Sequence, residues 1–322
     1  MSDPVLAVEG LTAGFDGIPA VRNVSFSVNA GETLCIVGES GSGKSVTALA
    51  IIRLVPPPGR ISAGAIRFEG RDLAMASREE LQRVRGNRIG FVFQEPMTAL
   101  NPVMTIGAQI EETLRVHGKA TRQTAAACAV ELLEMVSVPE PARRAGEYAH
   151  QLSGGLRQRA LIAMALACGP KLLIADEPTT ALDVTIQAEI LDLLRDMQKR
   201  LGLALILITH DLGVVAEMAN RVAVMYAGRI VEHAAVNDLF ADPKHPYTRA
   251  LLASVPSGPR GSRLNAIQGT VPAIDALPPG CSFTPRCPSR FEPCPTAHPG
   301  DTALEHGRTV KCYLHGPAVE RA

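Results

Sequence analysis

Tryptophan is absent from this 322-residue chain, and aromatic residues of all kinds make up only 4% of it. Net charge is also missing, because 32 Lys and Arg residues balance 32 Asp and Glu residues. A balanced chain gives no reason to expect nucleic acid or an anionic bilayer as a partner. The longest apolar run, Ala160 to Cys168, is about half the ~18 residues that a membrane-spanning helix requires. No basic-then-apolar secretory signal begins the chain, so we expect it to stay in the cytoplasm.

The residues that are present predict an α/β fold. Apolar residues make up 46% of the chain, which is enough to bury a large core in about two domains. The short apolar run Thr33–Val37 predicts a buried strand, and a helix is expected from about Lys44 to Arg53. Further along, the pattern predicts a helix from Ser153, a strand at Lys171–Asp176, a helix at Ile186–Leu201 and a strand at Ala204–Thr209. This alternation is typical of a mostly parallel sheet covered by helices.

Three segments differ from this alternating core. Residues 5–37 predict a small antiparallel β subdomain, and residues from about 104 to 168 predict a helical insertion. Thirteen of the 24 prolines lie between Pro243 and Pro317, together with four of the seven cysteines. We therefore expect a main domain over residues 1–240 and a loop-rich, Pro/Cys-rich C-terminal extension over residues 241–322.

A glycine-rich stretch between the predicted strand and helix has the pattern of a phosphate-binding loop. Gly38-x4-Gly43-Lys44-Ser45 provides glycines that let backbone N–H groups approach phosphate closely. The helix N-terminus that follows adds positive potential. Lys44 is expected to reach the β- and γ-phosphates, and the Ser45 hydroxyl to bind Mg²⁺. The sequence therefore predicts ATP binding by the main domain.

Two acidic residues supply the second half of the predicted nucleotide site. Asp176 ends an apolar strand, where it can hold Mg²⁺ directly or through water. Glu177 follows at once and can orient or deprotonate the attacking water. Paired acids before Pro178 also suit a helix start, but a phosphate loop in the same chain favours the catalytic interpretation.

Three further residues are candidates with alternatives left open. His210 follows the predicted strand Ala204–Thr209, where it would point toward the ligand crevice and hydrogen-bond the γ-phosphate; lone histidines are more often structural. Gln94 suits contact with water or Mg²⁺, although a solvent-facing loop amide is the simpler interpretation. Phe15 suits stacking on adenine, and a place in the core suits it equally well.

The chain resembles the ATP-binding subunits of ABC transporters. The resemblance covers about residues 5–235 and rests on the loop, the acidic pair and the stretch Leu152-Ser153-Gly154-Gly155, which we call the signature. It implies a phosphate-loop, RecA-like fold and two nucleotide-binding domains that pair head to tail, with each ATP between the loop of one and the signature of the other. The ATP contacts that it implies are Phe15, Gly38, Ser40, Gly41, Ser42, Gly43, Lys44, Ser45, Val46 and Gln94.

The resemblance also assigns roles across the interface and to the metal. Ser153, Gly154 and Gly155 of the signature, with Asp183, would contact the partner's ATP. Mg²⁺ would be held by Ser45, Gln94 and Asp176, and catalysis would rest on Glu177 and His210. The loop from Glu95 to Pro102 would dock on the transmembrane partners.

The C-terminal extension is similar to that of the oligopeptide/dipeptide importer subfamily, on the residues His245-Pro246-Tyr247-Thr248. This implies an ATPase that powers import of di- or oligopeptides from the cytoplasmic face of the inner membrane. The implied partners are a second ATPase subunit, identical or a paralogue, two permease subunits and an external binding protein. One alternative is an importer of nickel or glutathione. Another is a soluble ABC-type ATPase that does not act in transport. The single set of motifs fits a transporter better than such a soluble ATPase.

Four cysteines of the extension are candidates for a metal group. Cys281, Cys287, Cys294 and Cys312 are separated by 5, 6 and 17 residues, and four thiolates suit either a [4Fe–4S] cluster or zinc. The closely spaced pair usual in zinc sites is missing, and disulfides are not expected in a reducing cytoplasm. The residues alone are compatible with a [4Fe–4S] cluster, with zinc or with no bound metal. The resemblance implies a [4Fe–4S] cluster.

Overall fold

The computed structural model describes residues 3–254 and 267–316. In chain order the strands are β1 (Leu6–Phe15), β2 (Ile18–Val28), β3 (Thr33–Val37), β4 (Arg60–Phe68), β5 (Arg71–Asp72), β6 (Ile89–Val92), β7 (Leu172–Asp176), β8 (Ala204–Thr209), β9 (Arg221–Tyr226), β10 (Arg229–Ala235), β11 (Thr302–Ala303) and β12 (Thr309–Val310). The α-helices are α1 (Lys44–Ile51), α2 (Arg78–Val84), α3 (Pro96–Ala99), α4 (Ile106–Val116), α5 (Ala125–Met135), α6 (Pro141–Ala145), α7 (Gly154–Leu166), α8 (Val184–Leu201), α9 (Leu212–Met218), α10 (Val236–Ala241) and α11 (Pro246–Ala253). Short 3₁₀ turns complete the described chain.

Contacts divide the chain into two units. The first unit comprises Met1–Leu6, Val28–Glu32 and Phe68–Ile208. The second unit comprises Ala7–Ser27, Thr33–Arg67 and Thr209–Ala322. The residues predicted for the nucleotide site are divided between the two units.

Parallel strands form the core of the first unit. β7 pairs in parallel with β6 on one side and β8 on the other. All residues of β7 and β8 are buried, as expected for parallel strands with both faces covered. The helices α4, α5, α6 and α7 pack on one another, and α7 also packs on β6. These four helices lie within the segment from about 104 to 168 for which the sequence predicts a helical insertion.

The two ends and the buried face of the long helix α8 follow from its sequence. The Asp183 side chain caps its N-terminus by accepting a hydrogen bond from the Ile186 N–H at 3.0 Å. Apolar residues at helical spacing face inward: Ile190, Leu191, Leu193, Leu194 and Met197 are buried. Gly202 follows the last turn with φ +60, the left-handed conformation that commonly ends helices.

The second unit holds a mixed set of strands. β3 pairs in parallel with β9, β9 pairs antiparallel with β10, and β10 pairs antiparallel with β12, which pairs with β11. Strands β2, β1 and β4 form a separate sheet in that order. The sequence predicts β3 and a small β subdomain over residues 5–37, but it does not predict β9 to β12.

The C-terminal extension shares the core of the second unit. β12 lies beside β10, and Phe283 is 1% exposed. Packing on β10 and on the buried aromatic residues supplies a core that the local sequence does not reveal.

Candidate nucleotide-binding site

The phosphate loop lies between β3 and α1 in the second unit. Two of its glycines are required by close contacts and by backbone conformation. A Cβ atom on Gly38 (φ +156) would lie 2.2 Å from the Met225 carbonyl oxygen, and one on Gly43 (φ +99) would lie 2.8 Å from the Ala20 carbonyl oxygen. Both distances are too short for a side chain, so the loop can follow this path only with glycine.

Lys44 and the start of α1 give the loop its affinity for anions. The Lys44 side chain is buried, and its ammonium donates to the carbonyl oxygens of Gly38 at 2.8 Å and Glu39 at 3.1 Å. α1 begins at Lys44 without a side-chain cap or an acidic residue in its first turn. A helix N-terminus of this kind favours a phosphate group through its backbone N–H groups and its dipole.

The C-terminal extension holds the loop at Glu39. The Glu39 N–H donates to the Tyr247 hydroxyl at 2.9 Å, and the Glu39 carboxylate accepts two hydrogen bonds from Arg286. Sequence reasoning missed these contacts, because Tyr247 and Arg286 lie 208 and 247 residues away from Glu39. No local pattern in the sequence predicts such a pairing.

The acidic pair lies at the end of β7 in the first unit. Asp176 is 5% exposed, and Glu177 follows with φ +47. The Glu177 carboxylate accepts hydrogen bonds from the Thr180 hydroxyl at 2.9 Å and from the Gln94 side-chain amide at 3.2 Å. The structure therefore brings Gln94 and Glu177 together and adds Thr180, which sequence reasoning did not single out.

The signature begins α7 in the first unit. The exposed Ser153 caps this helix by accepting a hydrogen bond from the Leu156 N–H at 3.4 Å. Gly154 is also exposed, and a Cβ atom there would meet Leu182 at an ordinary 3.4 Å. Gly155 is buried, and its Cβ would lie 2.7 Å from the Ile186 Cγ2 atom. Packing within the unit thus explains Gly155, whereas Gly154 leaves a backbone surface that faces outward.

The remaining predicted residues belong to the second unit. Phe15 ends β1 half-buried, and a Cβ atom added to Gly59 would lie 2.7 Å from its ring. His210 follows β8 and is exposed. Ser40 and Gly41 are exposed at the tip of the loop, whereas Ser42 is buried. Stacking by Phe15 and γ-phosphate contact by His210 remain predictions.

The four cysteines of the extension line one small cavity, together with residues that include His245 and Phe283. All four are free thiols. Burial raises the pKa of Cys281 and Cys287, and raises that of Cys312 to about 11. Among the residues that the structure describes, no three His, Cys, Asp or Glu side chains are arranged to hold a metal ion.

Comparison with known proteins identifies the family. A model described as "ABC transporter" matches residues 21–180. The oligopeptide transport ATP-binding protein AppD of Bacillus subtilis is 52% identical over 300 residues, which cover 92% of this chain and 92% of that protein. The chain belongs to the ABC transporter family. The resemblance seen in the sequence is thereby confirmed.

Other relatives support the same assignment. A second family model, for the C-terminal region of oligopeptide/dipeptide transporters, matches residues 231–294. The dipeptide transport ATP-binding protein DppD of Bacillus subtilis is 48% identical over 99% of this chain and 97% of that protein. The dimeric structure of MJ0796, a bacterial ABC transporter cassette, is 30% identical with a TM-score of 0.64, covering 72% of this chain and 98% of that chain. The α/β phosphate-loop fold is thus confirmed.

None of the helices within residues 3–254 and 267–316 is long and apolar enough to cross a membrane.

Proposed function

We propose that this chain hydrolyses ATP to power the import of di- or oligopeptides through an ABC transporter. The observation that carries this proposal is the match of residues 231–294 to the C-terminal region of oligopeptide/dipeptide transporters. Relatives named for oligopeptide and dipeptide transport, which span nearly the whole chain, support it. The enzyme activity is that of an ATPase coupled to transport.

In the proposed reaction the phosphate loop, Gln94 and the acidic pair have separate roles. Lys44 binds the β- and γ-phosphates, while Ser45, Gln94 and Asp176 provide oxygen ligands for Mg²⁺. Glu177 orients and deprotonates the attacking water. Its hydrogen bonds from Thr180 and Gln94 hold the carboxylate in place.

The remaining residue roles complete the proposed catalytic cycle. His210 contacts the γ-phosphate, and Phe15 stacks on adenine. Ser153, Gly154, Gly155 and Asp183 contact ATP held by a second ATPase subunit, in a head-to-tail dimer. The exposed position of Ser153 and Gly154 at the start of α7 supports this, because a helix N-terminus attracts phosphate. Closure of the pair with ATP, and its opening after hydrolysis, drives two permeases fed by an external binding protein. The subunit acts at the cytoplasmic face of the inner membrane.

We further propose that Cys281, Cys287, Cys294 and Cys312 hold a [4Fe–4S] cluster. The four thiols line one cavity, and four cysteine thiolates are the ligand set that such a cluster takes. When bound, such a cluster cross-links loop segments and provides a redox centre. The chain's own thiols must lose their protons to bind it, against the raised pKa of three of them.

Growth on peptides tests the transport function. A strain that lacks this gene and requires an amino acid should fail to grow on a dipeptide or tetrapeptide that contains it. Restoring the wild-type gene should restore growth, whereas Glu177→Gln should not, since it blocks hydrolysis. Normal peptide uptake in the deletion strain, with a loss of nickel or glutathione uptake instead, would contradict peptide import and favour those alternatives.

Metal analysis tests the cluster. Protein purified without oxygen should contain iron and sulfide at about four each per chain and show visible absorption. Cys287→Ser should lose both, and the matched variant Cys128→Ser, outside the cavity, should retain them. Zinc alone would contradict the cluster.

A further inference from the structure

Glu39 is an acidic residue in a loop that is proposed to bind phosphate groups, which are anions. It is the second residue of a loop whose Lys44 and helix N-terminus favour anions. Its carboxylate is 28% exposed. A carboxylate this near a triphosphate repels it unless a positive group cancels its charge.

Arg286 provides that positive group from the C-terminal extension. Its two terminal nitrogens donate to the two oxygens of Glu39, at 2.6 Å from Nη1 to Oε2 and at 2.9 Å from Nη2 to Oε1. This paired geometry is specific to a guanidinium and a carboxylate. The hydrogen bonds to Glu39 are the main reason that the pKa of Arg286 is raised, so the guanidinium stays charged.

Arg286 is itself fixed by its surroundings. Its side chain is only 4% exposed. Its Nε donates to the Gln268 carbonyl oxygen at 2.9 Å, and its Nη2 donates to the Gly269 carbonyl oxygen at 3.2 Å. The guanidinium carbon lies 5.8 Å from the centre of the Tyr226 ring. A buried and multiply bonded guanidinium loses little freedom when it also binds Glu39.

The backbone of Glu39 is held by the same part of the chain. The Tyr247 hydroxyl accepts the Glu39 N–H, and Tyr247 packs on Tyr226 and Phe283 with ring centres 4.6 and 5.5 Å apart. Three of the few aromatic residues in this chain are thus buried beside the phosphate loop. Glu39 is restrained at both its backbone and its side chain.

We propose that Arg286 is a positioning residue of the nucleotide site, which neutralises Glu39 and fixes the phosphate loop for binding of a nucleoside polyphosphate. Arg286 acts through Glu39 and needs no contact with the nucleotide. The C-terminal extension thereby becomes part of the nucleotide site. This inference rests on the nucleotide binding of the proposed function.

Nucleotide affinity of four full-length proteins tests the inference. The dissociation constant for MgADP is measured by calorimetry at low salt. Arg286→Gln should weaken binding about fivefold, because an unpaired Glu39 repels the phosphates. Glu39→Gln should bind at least as well as the wild type. The double variant should return to within about twofold of Glu39→Gln, since no carboxylate remains to be neutralised.

The nucleotide affinities of two further variants distinguish an effect of charge from a defect in folding. Arg286→Lys keeps the charge without the paired geometry and should lose less affinity than Arg286→Gln. The exposed Arg290 lies on the same loop, and the matched control Arg290→Gln should bind like the wild type. High salt should shrink the defect of Arg286→Gln.

Two results would overturn the inference. Arg286→Gln with wild-type affinity would show that Glu39 needs no neutralisation. A double variant as weak as Arg286→Gln would show that Arg286 only supports the fold of the extension. A wild-type chain that does not bind MgADP at all would overturn the proposed function itself, which keeps the two failures apart.

Discussion

Individual residues around Glu177 set the orientation of the proposed catalytic base. The Glu177 carboxylate accepts a hydrogen bond from Thr180 within the same tight turn and another from Gln94. The left-handed backbone at Glu177, with φ +47, is a strained conformation for a residue with a side chain. Strain at such a position is maintained when neighbouring contacts fix it.

Removing the Thr180 hydroxyl should therefore slow hydrolysis without weakening nucleotide binding. Thr180→Val has nearly the same shape and lacks the donor, and one such hydrogen bond contributes about 1 kcal/mol. We expect kcat to fall about fivefold while KM for ATP stays unchanged. Thr180→Ser keeps a hydroxyl and should retain most of the rate. A rise in KM with constant kcat would contradict this role.

Residue patterns explain why part of the nucleotide site was predictable. Lys44, Ser45 and Asp176 follow from short spacings and from the strand that precedes each motif. Arg286 did not follow, since its partner Glu39 is 247 residues away and only the packing of the extension brings them together. The close packing of Gly155 on Ile186 also depends on a distant helix.

At the scale of secondary-structure elements, helix α7 packs closely on strand β6 in the first unit. β6 contains Gly90, and a Cβ atom there would lie 2.3 Å from the Ala165 carbonyl oxygen near the end of α7. The glycine thus allows α7 to approach the sheet. Because α7 begins with the signature, this contact also helps to fix Ser153.

Gly90→Ala should destabilise the protein by about 2–3 kcal/mol, since β6 and α7 must move apart to admit the methyl group. Urea denaturation followed by circular dichroism measures the change. The control is Gly146→Ala, at φ −82 with its nearest contact at 3.5 Å. It should change the unfolding free energy by less than about 0.5 kcal/mol. Equal midpoints for the two variants would contradict close packing at Gly90.

Strands and helices were predictable where the pattern of apolar residues indicates which side chains are buried. β3, β7 and β8 are short apolar runs, and α8 has apolar residues at helical spacing with an Asp183 cap. β11 and β12 have only two residues each and take their conformation from pairing with each other and with β10. A strand of that length carries no periodicity, so its partner alone identifies it.

At the scale of the whole chain, the extension connects the cysteine cavity with the phosphate loop. The 3₁₀ turn Thr284–Arg286 lies between Cys281 and Cys287 in sequence and ends at the residue that binds Glu39. Thr284 and Cys287 line the cavity. A change in the cavity is therefore one residue away from the contact that fixes the loop.

Loss of the proposed metal group should weaken nucleotide binding through this connection. Cys287→Ser should raise the dissociation constant for MgADP about two- to fivefold in the wild-type background, as the turn that holds Arg286 loosens. The same substitution should have little effect in a Glu39→Gln background, where no charge needs neutralising. Calorimetry on the four chains measures the coupling. Equal effects in both backgrounds would contradict a connection through Arg286.

In the proposed dimer of ATPase subunits, the signature contacts the ATP that the partner holds. Ser153 caps α7 and, in the proposed dimer, also faces the γ-phosphate held by the partner. These two roles separate in Ser153→Asp, because aspartate is a good helix cap but carries negative charge.

In a Glu177→Gln background, which should retain ATP, we expect MgATP to cause association of the chain with itself or with its partner ATPase. Adding Ser153→Asp should leave the unfolding temperature unchanged or slightly higher, since the cap is kept. It should abolish association, because a carboxylate would oppose the γ-phosphate across the interface. Light scattering after size exclusion measures the association, and Ser153→Thr, which keeps the hydroxyl, should still associate. If the aspartate variant associates as well as its parent, the exposed end of α7 does not face the partner's phosphate, and Ser153 serves α7 alone.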